Sequence, residues 1–230
     1  MSELMDCTGV SVQVGMVLLL SISIVAIGVV YMGIGPIIDT YVESSHQREV
    51  IYVFELMRES IIKIARGVPS RVIEAKMFDG MYFINYTGFV CVNNTTVPIY
   101  SVIYKGDEEI SLENGAIFRK AGGNSFMVEK PLIIHSNNTS VISVIALHGE
   151  GSVSGKGIVR IVFTNLGCDY RTITNNTIVV HSDHYLEWKE YLEEEGFEIV
   201  DVYNKTVVAS TQSNLILLKI VNVKVKLRGG

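Results

Sequence analysis

His181, Ser182, Asp183 and His184 put two imidazoles and a carboxylate within one short stretch. Such groups bind zinc and other divalent metals. His181, however, closes an apolar β-branched run and His184 opens an amphipathic one. The two rings belong to different elements, and helix capping and surface exposure account for them. The segment Gly149–Gly157 is rich in glycine and carries Lys156. A phosphate-cradling loop needs four residues between its glycines and then Lys followed by Ser or Thr. Here the spacing is different and Gly157 stands in the hydroxyl position, so a flexible hairpin connection is the better reading. The chain holds no Gly-x-Ser-x-Gly elbow, no His-Glu-x-x-His and no Cys/His nucleophile pair at a recognisable spacing. Its carboxylates single out no catalytic pair. We expect no enzyme, no catalytic residue, no metal site and no cofactor; an anchored hydrolase ranks well below the readings developed below.

A different chemistry recurs. Asn85, Asn93, Asn94, Asn137, Asn138, Asn175 and Asn204 each begin an Asn-x-Ser/Thr triplet without proline. Roughly two would arise by chance at this composition, so the excess marks glycosylation candidates and an extracytoplasmic domain. The net charge of −5 argues against a nucleic-acid partner, which needs a basic surface. Cys7, Cys91 and Cys168 are too few and too scattered for a disulfide scaffold or a zinc site. Cys91 and Cys168 either pair outside the cell or remain buried thiols.

The elements that carry these groups begin with an anchor. From Val10 to Ile38 there is no Asp, Glu, Lys or Arg. About 20 helical residues cross a bilayer core roughly 30 Å thick, so this run spans a membrane with residues to spare. The residues before it lack the basic start of a secretory signal, and the apolar stretch is too long for one. Ser21 and Ser23 can bond back to the helix backbone, and Pro36 should kink the helix or mark its exit from the membrane. Beyond it, Val50, Phe54, Met57, Ile61 and Ile64 recur at 4-3-4-3 spacing with charged residues between them. That stripe belongs to a helix lying against a globular body or a partner helix. Gly67-Val68-Pro69 ends it. The helix either runs unbroken from about Val10 to Arg66, roughly 85 Å, or divides at Gly35-Pro36.

From Ser70 onward, short runs rich in Val, Ile, Tyr and Phe predict strands at Arg71–Met77, Met81–Asn85, Phe89–Val92, Val97–Tyr104, Ala116–Arg119, Phe126–Glu129, Leu132–His135 and Val141–Leu147. Further strands are expected at Gly157–Thr164, Thr177–His181, Phe197–Tyr203, Lys205–Ser210 and Leu215–Leu227, with turn signals such as Asp79-Gly80, Glu113-Asn114-Gly115 and Gly122-Gly123-Asn124 between the runs. The last strand sets Lys224, Lys226 and Arg228 on one face and Val221, Val223, Val225 and Leu227 on the other, the pattern of a strand with one solvated face. One late helix interrupts the strands. Ser182 or Asp183 offers its N-cap, Tyr185, Trp188 and Leu192 share its apolar side, and Gly196 stops it. The class is α+β: a long N-terminal transmembrane helix followed by an antiparallel β-rich domain with one late helix. The expected divisions are a leader at 1–9, the membrane helix at 10–38, the amphipathic continuation at 39–67 and an extracellular β-rich domain at 70–230.

Thr8-Gly9-Val10-Ser11-Val12-Gln13-Val14-Gly15, running into Met16-Val17-Leu18-Leu19-Leu20, resembles the start of archaeal type IV pilin-like proteins. The nearer likeness is to uncharacterised archaeal envelope proteins with a pilin-like N-terminal helix and a β-rich ectodomain. It extends to the Asn-Gly hinge at Glu113–Lys120, the glycine-rich Gly149–Gly157 and the late helix from Ser182 to Leu192. The resemblance implies cleavage between Gly9 and Val10 by a prepilin-type peptidase. It also implies partners: membrane lipid, and other pilin-like subunits met through the N-terminal helix. Bacterial-type pilins carry Glu at the fifth position after the cut, where this chain has Val14. Assembly would then rest on apolar helix packing, as suits a minor pilin-like or pseudopilin-like subunit.

The first expectation is therefore a single-pass archaeal surface protein, with its C-terminal domain outside the cell, serving a type IV filament system. The alternative is a stand-alone anchored ectodomain that binds a ligand or envelope partner without assembling.

Overall fold

The computed structural model describes residues 8–135, 139–174, 176–213 and 215–229, with the backbone alone for 8–11 and 34–44. Helix α1 spans Thr8–Ala65 and stays helical through Gly35-Pro36, so the division into two helices does not form. The chain separates into two compact units, Met1–Arg48 and Glu49–Gly230. The boundary falls inside the helix. Residues 49–65 are grouped with the β strands.

In the first unit, Val12–Gly33 is a 22-residue apolar stretch with mean hydropathy 2.5 and none of it buried. Ser21 and Ser23 donate their hydroxyls to the carbonyls of Val17 and Leu19, each at 2.8 Å. Those bonds satisfy the two serine donors in the middle of the apolar surface.

Among the described residues the second unit contains fourteen strands and one further helix. The strands are β1 (Ser70–Lys76), β2 (Met81–Val92), β3 (Thr95–Lys105), β4 (Glu109–Glu113), β5 (Ala116–Ala121), β6 (Asn124–Glu129) and β7 (Ile133–His135). They continue as β8 (Thr139–His148), β9 (Gly151–Ser154), β10 (Ile158–Ile173), β11 (Thr177–Ser182), β12 (Glu198–Tyr203), β13 (Thr206–Ser210) and β14 (Leu215–Gly229); helix α2 (Tyr185–Glu194) follows β11. One sheet has the order β1-β10-β14-β8-β7. The other runs β12-β13-β11-β2-β3-β4-β5-β6, with β9 paired to β2. Pairing is antiparallel except between β8 and β14, which run parallel along Leu215–Lys224.

The end of α1 supplies the core. Phe54, Met57, Ile61 and Ile64 are fully buried, with Val50 close behind. They join Ile161, Phe163 and Val223 of the first sheet and Tyr82, Leu112 and Ile117 of the second in one apolar cluster. Polar bonds bind the helix to both sheets. Asn165 Nδ2 and Lys219 Nζ donate to the carbonyls of Ile64 and Ala65, at 3.1 and 2.8 Å. Arg58 Nε donates to Gly115 O at 2.9 Å, and Arg58 Nη2 donates to Lys130 O at 3.0 Å. Gly67, at φ +102°, closes the helix with Gly67 N–H on Ile64 O and Val68 N–H on Lys63 O. This Schellman arrangement satisfies two terminal carbonyls, which is why the Gly-Val-Pro stop works.

Several elements differ from the sequence reading. Met81–Asn85 and Phe89–Val92, expected as two strands, are one strand with a bulge between Tyr86 and Gly88. The glycine-rich connection contains a strand of its own, β9. Strand β4 has no counterpart among the expected strands, and β10 continues nine residues past the expected end at Thr164.

Candidate functional site: the cleft beside helix α2

Strands β4, β5 and β6 are joined by two tight hairpins. Asn114-Gly115 and Gly122-Gly123 each take positive φ at both turn residues, the geometry of a type I′ turn. These turns bring Ser111 and Glu113 of β4, Phe118 of β5 and Ser125 of β6 onto the face that receives α2. Position 88 sets the approach of the strand leading into α2. A Cβ on Gly88 would lie 1.7 Å from the carbonyl oxygen of His181, so β2 and β11 close up only because residue 88 has no side chain.

The N-cap of α2 is His184, not Ser182 or Asp183, and it makes no side-chain cap bond. Ser182 Oγ instead accepts the backbone N–H of His184 at 3.0 Å and donates to Glu113 Oε1 at 2.6 Å. Trp188 Nε1–H donates to the same oxygen at 2.9 Å. Glu113 is completely buried, and Oε2 makes no contact of ordinary hydrogen-bond geometry. Burial pushes the Glu113 carboxyl above its usual range, against the opposing effect of donors on Ser182, Trp188 and Thr87.

The His184 ring lies flat on Phe118, with centroids 4.2 Å apart and planes within 3°. Nε2 is 3.1 Å from Ser111 Oγ and Nδ1 is 2.9 Å from Ser125 Oγ. Burial lowers its pKa, chiefly by desolvating the imidazolium, so the neutral ring donates at one nitrogen and accepts at the other. Its ring nitrogens meet two hydroxyls and no carboxylate. A hydroxyl holds the ring's orientation but stabilises an imidazolium far less than an acid partner would.

Above this floor opens a cleft of about 520 Å³. Thr87, Ile103, Lys120 and Asn124 line it on the sheet side, with Phe126 at the rim; Tyr185, Glu187 and Glu190 line it from α2. Its lining mixes charged and hydroxyl groups with apolar ones.

Most residues singled out from sequence lie elsewhere. His181 Nδ1 is 2.9 Å from Thr206 Oγ1 and its ring stacks on Phe89, so the two histidines of the 181–184 stretch face different partners. Among the described residues, no group of three or more His, Cys, Asp or Glu is placed to hold a metal. Cys91 and Cys168 are free thiols on strands of different sheets. Of the glycosylation candidates, Asn93, Asn94 and Asn204 are exposed in turns, and Asn85 is exposed within β2. Asn137, Asn138 and Asn175 lie outside the described residues. Gly9 and Val10 fall within the backbone of α1.

A family model matches residues 9–228, nearly the whole chain. The chain belongs to the family of unknown function DUF7289. The DUF7289 match covers the apolar helix and the β domain together, so both are parts of one family architecture. No curated protein and no solved structure matches this DUF7289 chain.

The sequence alone does not mark the residues of the cleft floor, Ser111, Glu113, Phe118 and Ser125, as a site. Ser111, Glu113 and Ser125 lie 59 to 75 residues from the groups they bond around α2, and no local motif joins them.

Proposed function

We propose that this chain is a membrane-tethered surface protein of the pilin-like kind, whose N-terminal helix anchors a β domain on the outer side of the membrane. The observation that carries this reading is the 22-residue stretch Val12–Gly33, which carries no charge, has mean hydropathy 2.5 and has no protein against it. A bilayer, or the apolar helices of other subunits, is the environment that such a surface needs. The start of the helix resembles type IV pilin-like proteins, and cleavage between Gly9 and Val10 would remove Glu3 and Asp6 before the helix packs among apolar neighbours. N-terminal sequencing of the native protein tests the reading. Val10 as first residue supports it, and retention of the residues before Gly9 moves the chain to a stand-alone anchored ectodomain.

The cleft beside α2 favours that second reading. A cavity of about 520 Å³ floored by a buried histidine and two hydroxyls is more than a filament subunit needs for packing. In this reading the domain holds a small polar ligand by hydrogen bonds. Calorimetric titration of candidate ligands, with Ser125→Ala as the control, tests it.

A further inference from the structure

Charge is unevenly distributed along the β domain. Between Asp183 and Asp201 there are eight carboxylates and one lysine, whereas residues 202–230 hold five cations and no carboxylate. The fold turns these stretches into two separate surfaces.

The basic surface is the solvated face of the first sheet. Lys224, Lys226 and Arg228 alternate along β14 and are exposed. In register beside them stand Thr164, Val162 and Arg160 of β10, and then Ser70, Val72 and Glu74 of β1. Arg160 lies directly opposite Arg228. Like charges in that position repel, so folding alone gives no reason for the pair. Arg160 is met by Glu74 at 2.7 Å, but among the described residues no carboxylate pairs with Lys224, Lys226 or Arg228. Val72 and Ile158 add exposed apolar area to the same face.

The acidic surface is the side of α2 that borders the cleft, with Leu186, Glu187 and Glu190 on its rim. Glu187, Glu190 and Glu194 follow helical spacing, so they form one stripe, and Leu186 stands exposed nearby. Glu194 meets Lys130, while among the described residues Glu187 and Glu190 have no cationic partner. The stripe is about 10 Å long by helical rise. The row from Lys224 to Arg228 is about 13 Å long by strand rise. A helix laid across a sheet face is a common packing, and here lengths and charges correspond.

We propose that the solvated face of β14 and β10 is a docking surface for helix α2 of a second copy of this chain. Glu187 and Glu190 of one copy pair with Lys224 and Lys226 of the next, while Leu186 meets Val72 and Ile158. The proposed contact repeats head to tail, each copy engaging one neighbour through α2 and another through β14. Such a polar contact is weak between free molecules. Confinement of the copies to one membrane raises their effective concentration and lets it form. The inference is independent of leader cleavage, but docking on Glu187 and Glu190 would cover the cleft that these residues line.

The test uses the full chain reconstituted in zwitterionic phosphatidylcholine vesicles, treated at low ionic strength with a carbodiimide that joins touching carboxylates and amines. The wild type should give a ladder of dimers, trimers and larger species. Mass spectrometry should place the new amide bonds between Glu187 or Glu190 and Lys224 or Lys226, and 0.5 M salt should abolish the ladder. A variant with Lys224→Glu and Lys226→Glu, and another with Glu187→Lys and Glu190→Lys, should each fail to form it. Mixing the two variants should restore it, because reversed charges then face each other. All four side chains lie outside the apolar clusters, and the fluorescence of Trp188 checks that each variant is folded. A ladder unaffected by either variant, one that stops at the dimer, or a mixture that does not recover would overturn the proposal. Loss in the lysine variant alone, without recovery on mixing, would show that the basic face serves another anion.

Discussion

Ser182 Oγ donates a 2.6 Å hydrogen bond to Oε1 of Glu113, joining the end of β11, just ahead of α2, to a buried carboxyl 69 positions earlier. Trp188 donates to the same oxygen, so helix and sheet meet on one atom. This bond pattern makes Glu113 an internal reporter of protonation.

Burial raises the Glu113 pKa in the folded state, so the folded protein binds this proton more tightly than the unfolded chain. Its contribution is favourable below the usual glutamate pKa and is lost as pH rises through the raised folded value. A tenfold difference in proton affinity between the two states is worth about 1.4 kcal/mol. Glu113→Gln keeps an oxygen for Ser182 and Trp188 but has no proton to lose. Melting curves of wild type and variant should diverge as pH rises above about 4.5, with the variant the more stable at pH 8. Parallel curves would show that Glu113 does not titrate in that range.

His184 works in the opposite direction. Burial lowers its pKa, so on acidification below about 6.5 the unfolded chain takes up a proton that the folded ring refuses. Stability attributable to this ring therefore falls from pH 7 to pH 5. His184→Gln should show a flatter profile over that window, so the wild type's advantage over the variant should shrink from pH 7 to pH 5.

Phe54 is fully buried and stacks on Tyr82 at a centroid distance of 6.2 Å. Phe54→Ala should cost about 3–5 kcal/mol. Denaturant titration of the full chain in detergent micelles, followed by Trp188 fluorescence, measures this directly. A cost below about 1 kcal/mol would mean that the stripe is not core.

Gly88→Ala places a carbon against the His181 carbonyl at a separation no real contact shows. The strands must part, at the roughly 1–3 kcal/mol of an overpacked core or more. The loss should be accompanied by a red shift in Trp188 emission, since β11 leads directly into α2.

Peptide mapping of the native protein should find glycan on at least one of Asn85, Asn93, Asn94 and Asn204, all of which are exposed. Unmodified mass at every acceptor, together with protease protection of the domain in intact cells, would place it on the inner side.

The legible parts of this fold are those written in local periodicity. Val50, Phe54, Met57, Ile61 and Ile64 announce a buried stripe by spacing alone, and Asn114-Gly115 and Gly196 announce their turn and stop by backbone chemistry. Strand β4 is hidden because its α2-facing side carries Ser111 and Glu113, polar types that ordinarily mark solvent. The partners that make this side interior are on and beside α2, far along the chain. The parallel pairing of β8 with β14 is hidden for a related reason: alternation reports which faces are buried, not which strand lies alongside. The N-cap is misplaced by local rules because Ser182 turns its hydroxyl to Glu113, a long-range demand that overrides the local preference.

Strand β14 is the third of five in its sheet, between β10 and β8, yet it follows both of them in the chain. Until Leu215–Gly229 has been made, β1 with β10 and β7 with β8 are two strand pairs with nothing between them. Val221, Val223 and Val225 are then missing from the cluster around α1. The first sheet and the core beneath it therefore close together, in one late step that joins segments far apart in sequence.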